Sequence, residues 1–281
     1  GFDRQQGWLN AYAPAGRELF CGPLRPLFWR APTDNDFGNG MPRRCAVWKE
    51  AGTRLRLERM TVQPEADGHR VRIHTLHHDS RTGCRWEAIY TIQGDGRVTV
   101  ENTFIPGAGP LPELPRLGLS VLVRGDCERA SWFGRGPWEN YADRKTSAFM
   151  GCWEMNVSDL FHPYLRPQET GNRCDIRWLT LKDETGRGLR VEGQPFFEYS
   201  ALHFRVEDLD PGLEKGQTHA AELKPRPEIQ LVVGAAQMGV GGDTSWGDRP
   251  HPPYLIPLQT TRFTFVLSGQ SPEGLARTPE A

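Results

Sequence analysis

A chain of 281 residues suffices for one large domain or two ordinary ones, and it can bury roughly three quarters of its unfolded surface without disulfide or metal staples. Its 34 Lys and Arg against 35 Asp and Glu, net charge −1, exclude a general attraction to nucleic acid or acidic lipid. A mean hydropathy of −0.58, with no run of about 18 apolar residues, excludes a membrane-spanning helix.

No signal-peptide pattern opens the chain, and it begins Gly1-Phe2-Asp3 rather than with Met. It therefore reads as a piece of a longer polypeptide or a processed subunit. Cys21, Cys45, Cys84, Cys127, Cys152 and Cys174 are widely spaced, with no C-x-x-C and no Cys/His cluster, so free and mostly buried thiols are expected and a zinc site is not. Unpaired thiols and the missing signal together point to a cytoplasmic location. The eight histidines form no metal-binding spacing.

The first forty residues read as an irregular opening segment. Trp8, Leu9, Tyr12, Leu19 and Phe20 suggest two short strands joined by a turn at Pro14-Ala15-Gly16. Next, Pro26 and Pro32 bracket Phe28-Trp29, and Asp34-Asn35-Asp36 follows. Such a triplet can bind a metal, accept a sugar's hydroxyl protons, or bond its own backbone in turns, which is its commonest use. Pro42 to Ala51 reads as a short helix, with Pro42 suited to its first position and Gly52 to its stop. Val47, Trp48 and Ala51 would share a face.

From Arg54 to Val123 the period becomes two. Leu55, Leu57, Val71, Ile73, Val98, Val100, Phe104, Leu117, Leu119, Val121 and Val123 alternate with polar neighbours. Asp67-Gly68 and Asp95-Gly96 are hairpin signals between these runs, so an antiparallel meander with one buried face is expected. His74, His77 and His78 lie in or beside its strands.

Trp132 to Trp153 reads as a long loop rich in Gly and aromatics, including Trp138, Glu139, Tyr141, Asp143, Arg144 and Lys145. Loops on rigid β scaffolds often carry binding groups. The alternative is a packed surface loop whose Trp138 and Tyr141 plug the sandwich edge. A second loop spans Phe161 to Arg177. Strands are expected again at Leu189–Val191, Phe196–Phe204, Glu228–Val233 and Thr261–Leu267, with Leu223 to Pro227 opening the arm into the last loop. A polar tail from Gly269 should fray.

That last loop, Met238 to Asp248, surrounds Trp246 with Gly239, Gly241, Gly242 and Gly247. Glycine permits close approach and positive φ. An exposed indole face suits the C–H face of a sugar, and Asp243, Thr244 and Ser245 could hydrogen-bond its hydroxyls. A tight turn with Trp246 half buried is the alternative.

Four ordered stretches carry a family resemblance: Phe28 to Asp36, Gly134 to Tyr141 with Asp143-Arg144-Lys145, Pro167-Gln168-Glu169 with Gly171-Asn172-Arg173, and Gly239 to Trp246. Together they resemble the C-terminal domain of family-2 β-galactosidases, found also as the separate small chain of two-chain enzymes. The resemblance runs from about Phe2 to Leu267, with Ala142 standing where the family usually has Pro. It implies an all-β fold with few short helices, a single large antiparallel super-sandwich over 1–281 related to galactose mutarotases. It implies docking on a catalytic (β/α)₈ barrel, which supplies the glutamate pair that this chain lacks, and an oligomer in the complete enzyme. The family's Mg and Na sit mainly on other domains, so no cofactor is carried over. Trp246 becomes a platform for a galactoside, with Gly241 and Gly242 allowing close approach to the barrel and Asp243 and Ser245 positioning the loop. A large apolar docking patch is then expected on the chain.

Two other readings stay open. An aldose mutarotase or epimerase on the same sandwich would need a general acid and base, for which His74, His162, His203 and Glu198 are available. A non-catalytic carbohydrate-binding module would use Trp246 and Trp138 alone.

Overall fold

The computed structural model describes residues 1–65, 68–244 and 246–271. Twelve strands appear in chain order: β1 (Arg25–Leu27), β2 (Arg56–Pro64), β3 (Arg70–His78), β4 (Arg85–Gln93), β5 (Val98–Ile105), β6 (Arg116–Val123), β7 (Arg129–Gly136), β8 (Phe149–Asn156), β9 (Arg173–Lys182), β10 (Gly188–Leu202), β11 (Ile229–Gln237) and β12 (Thr261–Gln270). All recorded pairings between them are antiparallel. The sheet runs β1-β6-β11-β10-β12-β5-β4-β3-β2, and a branch β9-β7-β8 leaves β10.

Period-two patterning explains the pairing. On β4, Trp86, Ala88 and Tyr90 are buried while Arg85 and Glu87 face outward; on β5, Val98, Val100 and Phe104 meet them across the ladder. Phe28 packs edge-on against Trp86, with ring centroids 5.7 Å apart, and lies 5.5 Å from Phe104. Such aromatic contacts add about 0.5–1.5 kcal/mol each beyond the buried area.

The expected meander is β2 through β5. It does not extend to β6, which pairs β1 and β11 toward the opposite edge of the sheet. Asp67 lies outside the described residues; at the other hairpin Gly96 takes φ +85°, as the Asp-Gly signal requires.

Several boundaries differ from expectation. Trp8, Leu9, Tyr12, Leu19 and Phe20 are buried, yet they form only isolated bridges around a 3₁₀ turn at Pro14–Gly16. The helix expected over Pro42–Ala51 is three short turns: α-helical Met41–Arg44, 3₁₀ Ala46–Trp48 and α-helical Ala51–Arg54. Gly52 lies inside the last of them rather than stopping it, and a Cβ there would lie 2.0 Å from the Pro26 carbonyl oxygen. Trp132 and Trp153 belong to strands, leaving a loop of 137–148, and the second loop ends at β9's start, Arg173. The two strand fragments beginning at Leu189 and Phe196 are one long bulged strand, β10. Gly269 and Gln270 complete β12 against Leu189 and Gly188; the expected tail beyond 271 lies outside the described residues. Cys45, Cys84, Cys127 and Cys174 are buried, Cys21 and Cys152 exposed, and all six thiols are free.

Candidate functional site

Three loops converge at one end of the sheet: 137–148 between β7 and β8, 161–172 before β9, and 238–248 after β11. The last is held by backbone and side chains from distant segments. Gly239 donates its amide to Tyr254 O at 2.9 Å, and Arg30 donates to Gly239 O at 3.2 Å. Asp143 accepts the Gly241 amide at 2.8 Å. At the other side of the loop, Asn35 Nδ2 donates to Asp248 O at 2.8 Å.

Glycines set how tightly this loop can be gripped. A Cβ on Gly38 would lie 1.8 Å from the Trp246 carbonyl oxygen, and one on Gly242 would lie 2.7 Å from the Asp248 carbonyl. Backbone packs on backbone at both points, so no side chain fits.

Trp246 is 75 % exposed, so the half-buried turn is not what this loop makes. Asp243 is exposed and its Oδ1 lies 2.8 Å from His251 Nε2. Gly242 is exposed at the loop's neck, while Thr244 Oγ1 is buried without a partner. Ser245 lies outside the described residues.

The Asp34-Asn35-Asp36 triplet opens a five-residue helix, Asp34–Gly38, through a capping box in which Thr33 accepts the Asp36 amide and Asp36 accepts the Thr33 amide at 2.8 Å. Buried Asp36 also takes Arg30 in a two-pronged ion pair at 2.5 and 3.1 Å. Asp34 turns the other way, to Arg166 at 2.8 Å and Lys215 at 3.1 Å. Thus the triplet does structural work and anchors the tryptophan loop through Asn35. Among the described residues, no group of three or more His, Cys, Asp or Glu converges as a metal would need.

Beside Val240–Thr244 lies a cleft of about 520 Å³, walled also by Thr33, Tyr141, Arg144, Tyr164 and Glu169. The carboxylates that line it, Asp34, Glu169 and Asp243, and Glu139 nearby, all have partners. Glu169 is buried and takes Arg116 at 2.9 Å. Glu139 accepts the Tyr164 hydroxyl, Arg144 at 2.6 Å, the Gly171 amide at 2.7 Å and Thr170 at 3.1 Å. Burial would raise its pKa, but Tyr164, Gly171 and Arg144 outweigh that and hold it below the usual carboxylate range. Sequence reasoning did not assign this knot; Glu139 and Arg144 stood in its motif, but nothing in their spacing named Tyr164 as the third member.

The groups that a mutarotase would use are scattered. His74 pairs Glu87 at 2.7 Å, His203 pairs Glu128 at 2.7 Å, and His162 packs edge-on against Tyr164 with centroids 4.4 Å apart. Glu198, pushed up to about 7 by burial, receives the Cys174 thiol at 3.5 Å and Asn172 at 3.4 Å. Among the described residues, Glu198 forms no hydrogen bond or ion pair with any of these histidines.

Tyr141 is buried and plugs the interior, whereas Trp138 is 71 % exposed. Phe149, Leu165, Phe196 and Met150 are further exposed apolar side chains.

Comparison with known proteins places this geometry in a family. Over residues 1–267 the chain matches the family described as beta galactosidase small chain. It is 35 % identical over 255 residues to a beta-galactosidase of Priestia megaterium, covering 91 % of this chain and 24 % of the relative. A beta-galactosidase of Halalkalibacterium halodurans is 33 % identical over 271 residues, covering 95 % of this chain and 26 % of the relative. Among solved structures, galactose 1-epimerase from Lactobacillus acidophilus aligns with a TM-score of 0.40 and 7 % identity, over 75 % of this chain and 67 % of that one. The chain spans about a quarter of the length of the curated relatives it matches, and it belongs to the beta-galactosidase small-chain family.

Proposed function

We propose that this chain is the activity-completing part of a β-galactosidase, which hydrolyses terminal β-D-galactosides such as lactose with retention. It supplies Trp246 as a sugar platform, with Gly241 and Gly242 allowing the loop close approach and Asp243 and Ser245 positioning it, and docks on a barrel that supplies the two catalytic carboxylates. Any Mg or Na would then be held on other domains.

The observation that carries this reading is the exposed indole of Trp246 on a loop gripped at Gly239, Gly241 and Asp248. Leaving a large aromatic in water while fixing its backbone forgoes burial energy, which makes sense where a ligand or partner covers it. Retaining hydrolysis needs two available carboxyl groups about 5–5.5 Å apart. The partnered states of Glu139, Glu169, Asp36 and Asp143 support a chain that is inactive alone.

The test is hydrolysis of a chromogenic β-galactoside by this chain alone, and then mixed with the separately made remainder of the polypeptide. Silence alone and activity on mixing are expected. Turnover by the chain alone would overturn the completing role and direct attention to a carboxyl pair within its own loops.

A further inference from the structure

The backbone around Trp138 is held by buried side chains. The preceding carbonyl, of Pro137, accepts two hydrogen bonds from Arg173, at 3.3 and 3.2 Å, and the Trp138 carbonyl accepts Asn140 Nδ2 at 3.0 Å. Arg173 and Asn140 are both buried. Asn140 is itself locked to β9, its amide donating to Asn172 O at 2.8 Å and its Oδ1 accepting the Cys174 amide at 2.9 Å. A 71 % exposed indole therefore stands on a rigid mount.

The indole walls a hollow of about 640 Å³, a volume in the range of small-ligand sites. Its other walls include Asp159, His162, Arg144 and Tyr164. Asp159 and His162 are exposed, and the Arg144 side chain is half exposed. The indole, with Phe161 and Pro163 also in the wall, gives apolar surface beside donors and acceptors, which matches a pyranose with its C–H face and rim of hydroxyls. Arg144 and Tyr164 also line the cleft beside Val240–Thr244, so the two hollows share a wall.

We propose that Trp138 is a second sugar platform, taking a further ring of a galacto-oligosaccharide beyond the unit at Trp246. This rests on the reading of the chain as part of a β-galactosidase. The indole stacks on the distal ring, while Arg144, Asp159 and His162 hydrogen-bond its hydroxyls. The role is one of specificity for chain length, with no bond made or broken at this site.

The test uses the complete polypeptide, with Trp138→Ala and Trp138→Phe. For Trp138→Ala, KM for β-linked galactotriose should rise about fivefold more than KM for nitrophenyl galactoside, and Trp138→Phe should restore most of that ratio. Equal effects on both substrates would overturn the proposal, as would a lower melting temperature with loss of assembly and no change in the ratio; either assigns Trp138 to packing against another part of the polypeptide. Fluorescence titration with galactotriose separates this proposal from the one it rests on. If the polypeptide hydrolyses no β-galactoside, a quench lost in Trp138→Ala still supports the platform, and no Trp138-dependent quench sinks it.

Discussion

The Asp143 carboxylate accepts the Gly241 amide at 2.8 Å, and a Cβ on Gly239 would lie 2.6 Å from the same oxygen. One carboxylate oxygen thus meets two glycines of the tryptophan loop, from a loop 98 residues away in sequence. Replacing Asp143 by Ala leaves a partly buried amide without its partner, at about 1–3 kcal/mol. The expected outcome is a several-fold rise in KM for galactosides in the complete enzyme and faster hydrogen exchange over 239–248. Gly239→Ala should act in the same direction. Unchanged exchange in both variants would show that the other anchors suffice.

Trp246 itself should behave as a platform made in both ground and transition states. Trp246→Ala is expected to raise KM for lactose about tenfold and to lower kcat much less, the signature of uniform binding. A fall in kcat alone would contradict that role. Gly38→Ala offers an independent check, because its methyl would sit 1.8 Å from the Trp246 carbonyl and must displace the loop without altering the indole. Steady-state kinetics should show the two variants sharing a direction.

Beneath the loop, Arg30 and Asp36 form a buried ion pair whose guanidinium also holds Gly239 O. Arg30→Met leaves Asp36 charged and buried, which destabilises by about 3–5 kcal/mol. Urea unfolding of the chain should show this as a lower midpoint. Arg30→Met with Asp36→Leu should recover part of the loss, short of the helix cap that Asp36 supplies, worth about 1 kcal/mol. If the double variant is no better than the single, desolvation of an unpaired carboxylate is not the cause.

Much of this architecture is legible in the sequence because strand burial has a local period: Leu119, Val121 and Val123 announce their shared face within five residues. The glycine loop is equally legible, since four glycines around one tryptophan constrain what the backbone can do. What sequence does not carry is long-range pairing. Nothing near Arg30 indicates that it will hold Gly239, and nothing near Asp143 indicates Gly241. The helix expected over Pro42–Ala51 fails for a similar reason. Gly40 at φ +73° and the close approach of Gly52 to Pro26 O set the chain's path there, against the local apolar period. Trp138 shows the limit most clearly. Tryptophan is usually well buried, and nothing in the local sequence shows that Arg173 and Asn140 will hold the Pro137 and Trp138 carbonyls beside an exposed indole.

The N-terminal segment gives a pH dependence whose sign follows from one ring. His77 on β3 is buried, stacked on Trp8 with centroids 3.6 Å apart, and its Nε2 lies 2.8 Å from Gln6 O. Burial lowers its pKa from 6.5 to about 4. A depressed imidazole means that the unfolded chain binds a proton that the folded chain refuses. Stability is therefore fully present above about pH 6.5 and falls as the pH drops toward 4, by up to about 3 kcal/mol for this group. Below pH 4 both states are protonated and the loss stops growing. His77→Phe keeps an aromatic face for Trp8 but cannot titrate, so it should be less stable at neutral pH and show a flatter decline on acidification. Urea midpoints for the two proteins, measured at intervals across that window, should converge as the pH falls; parallel curves would place the acid sensitivity elsewhere.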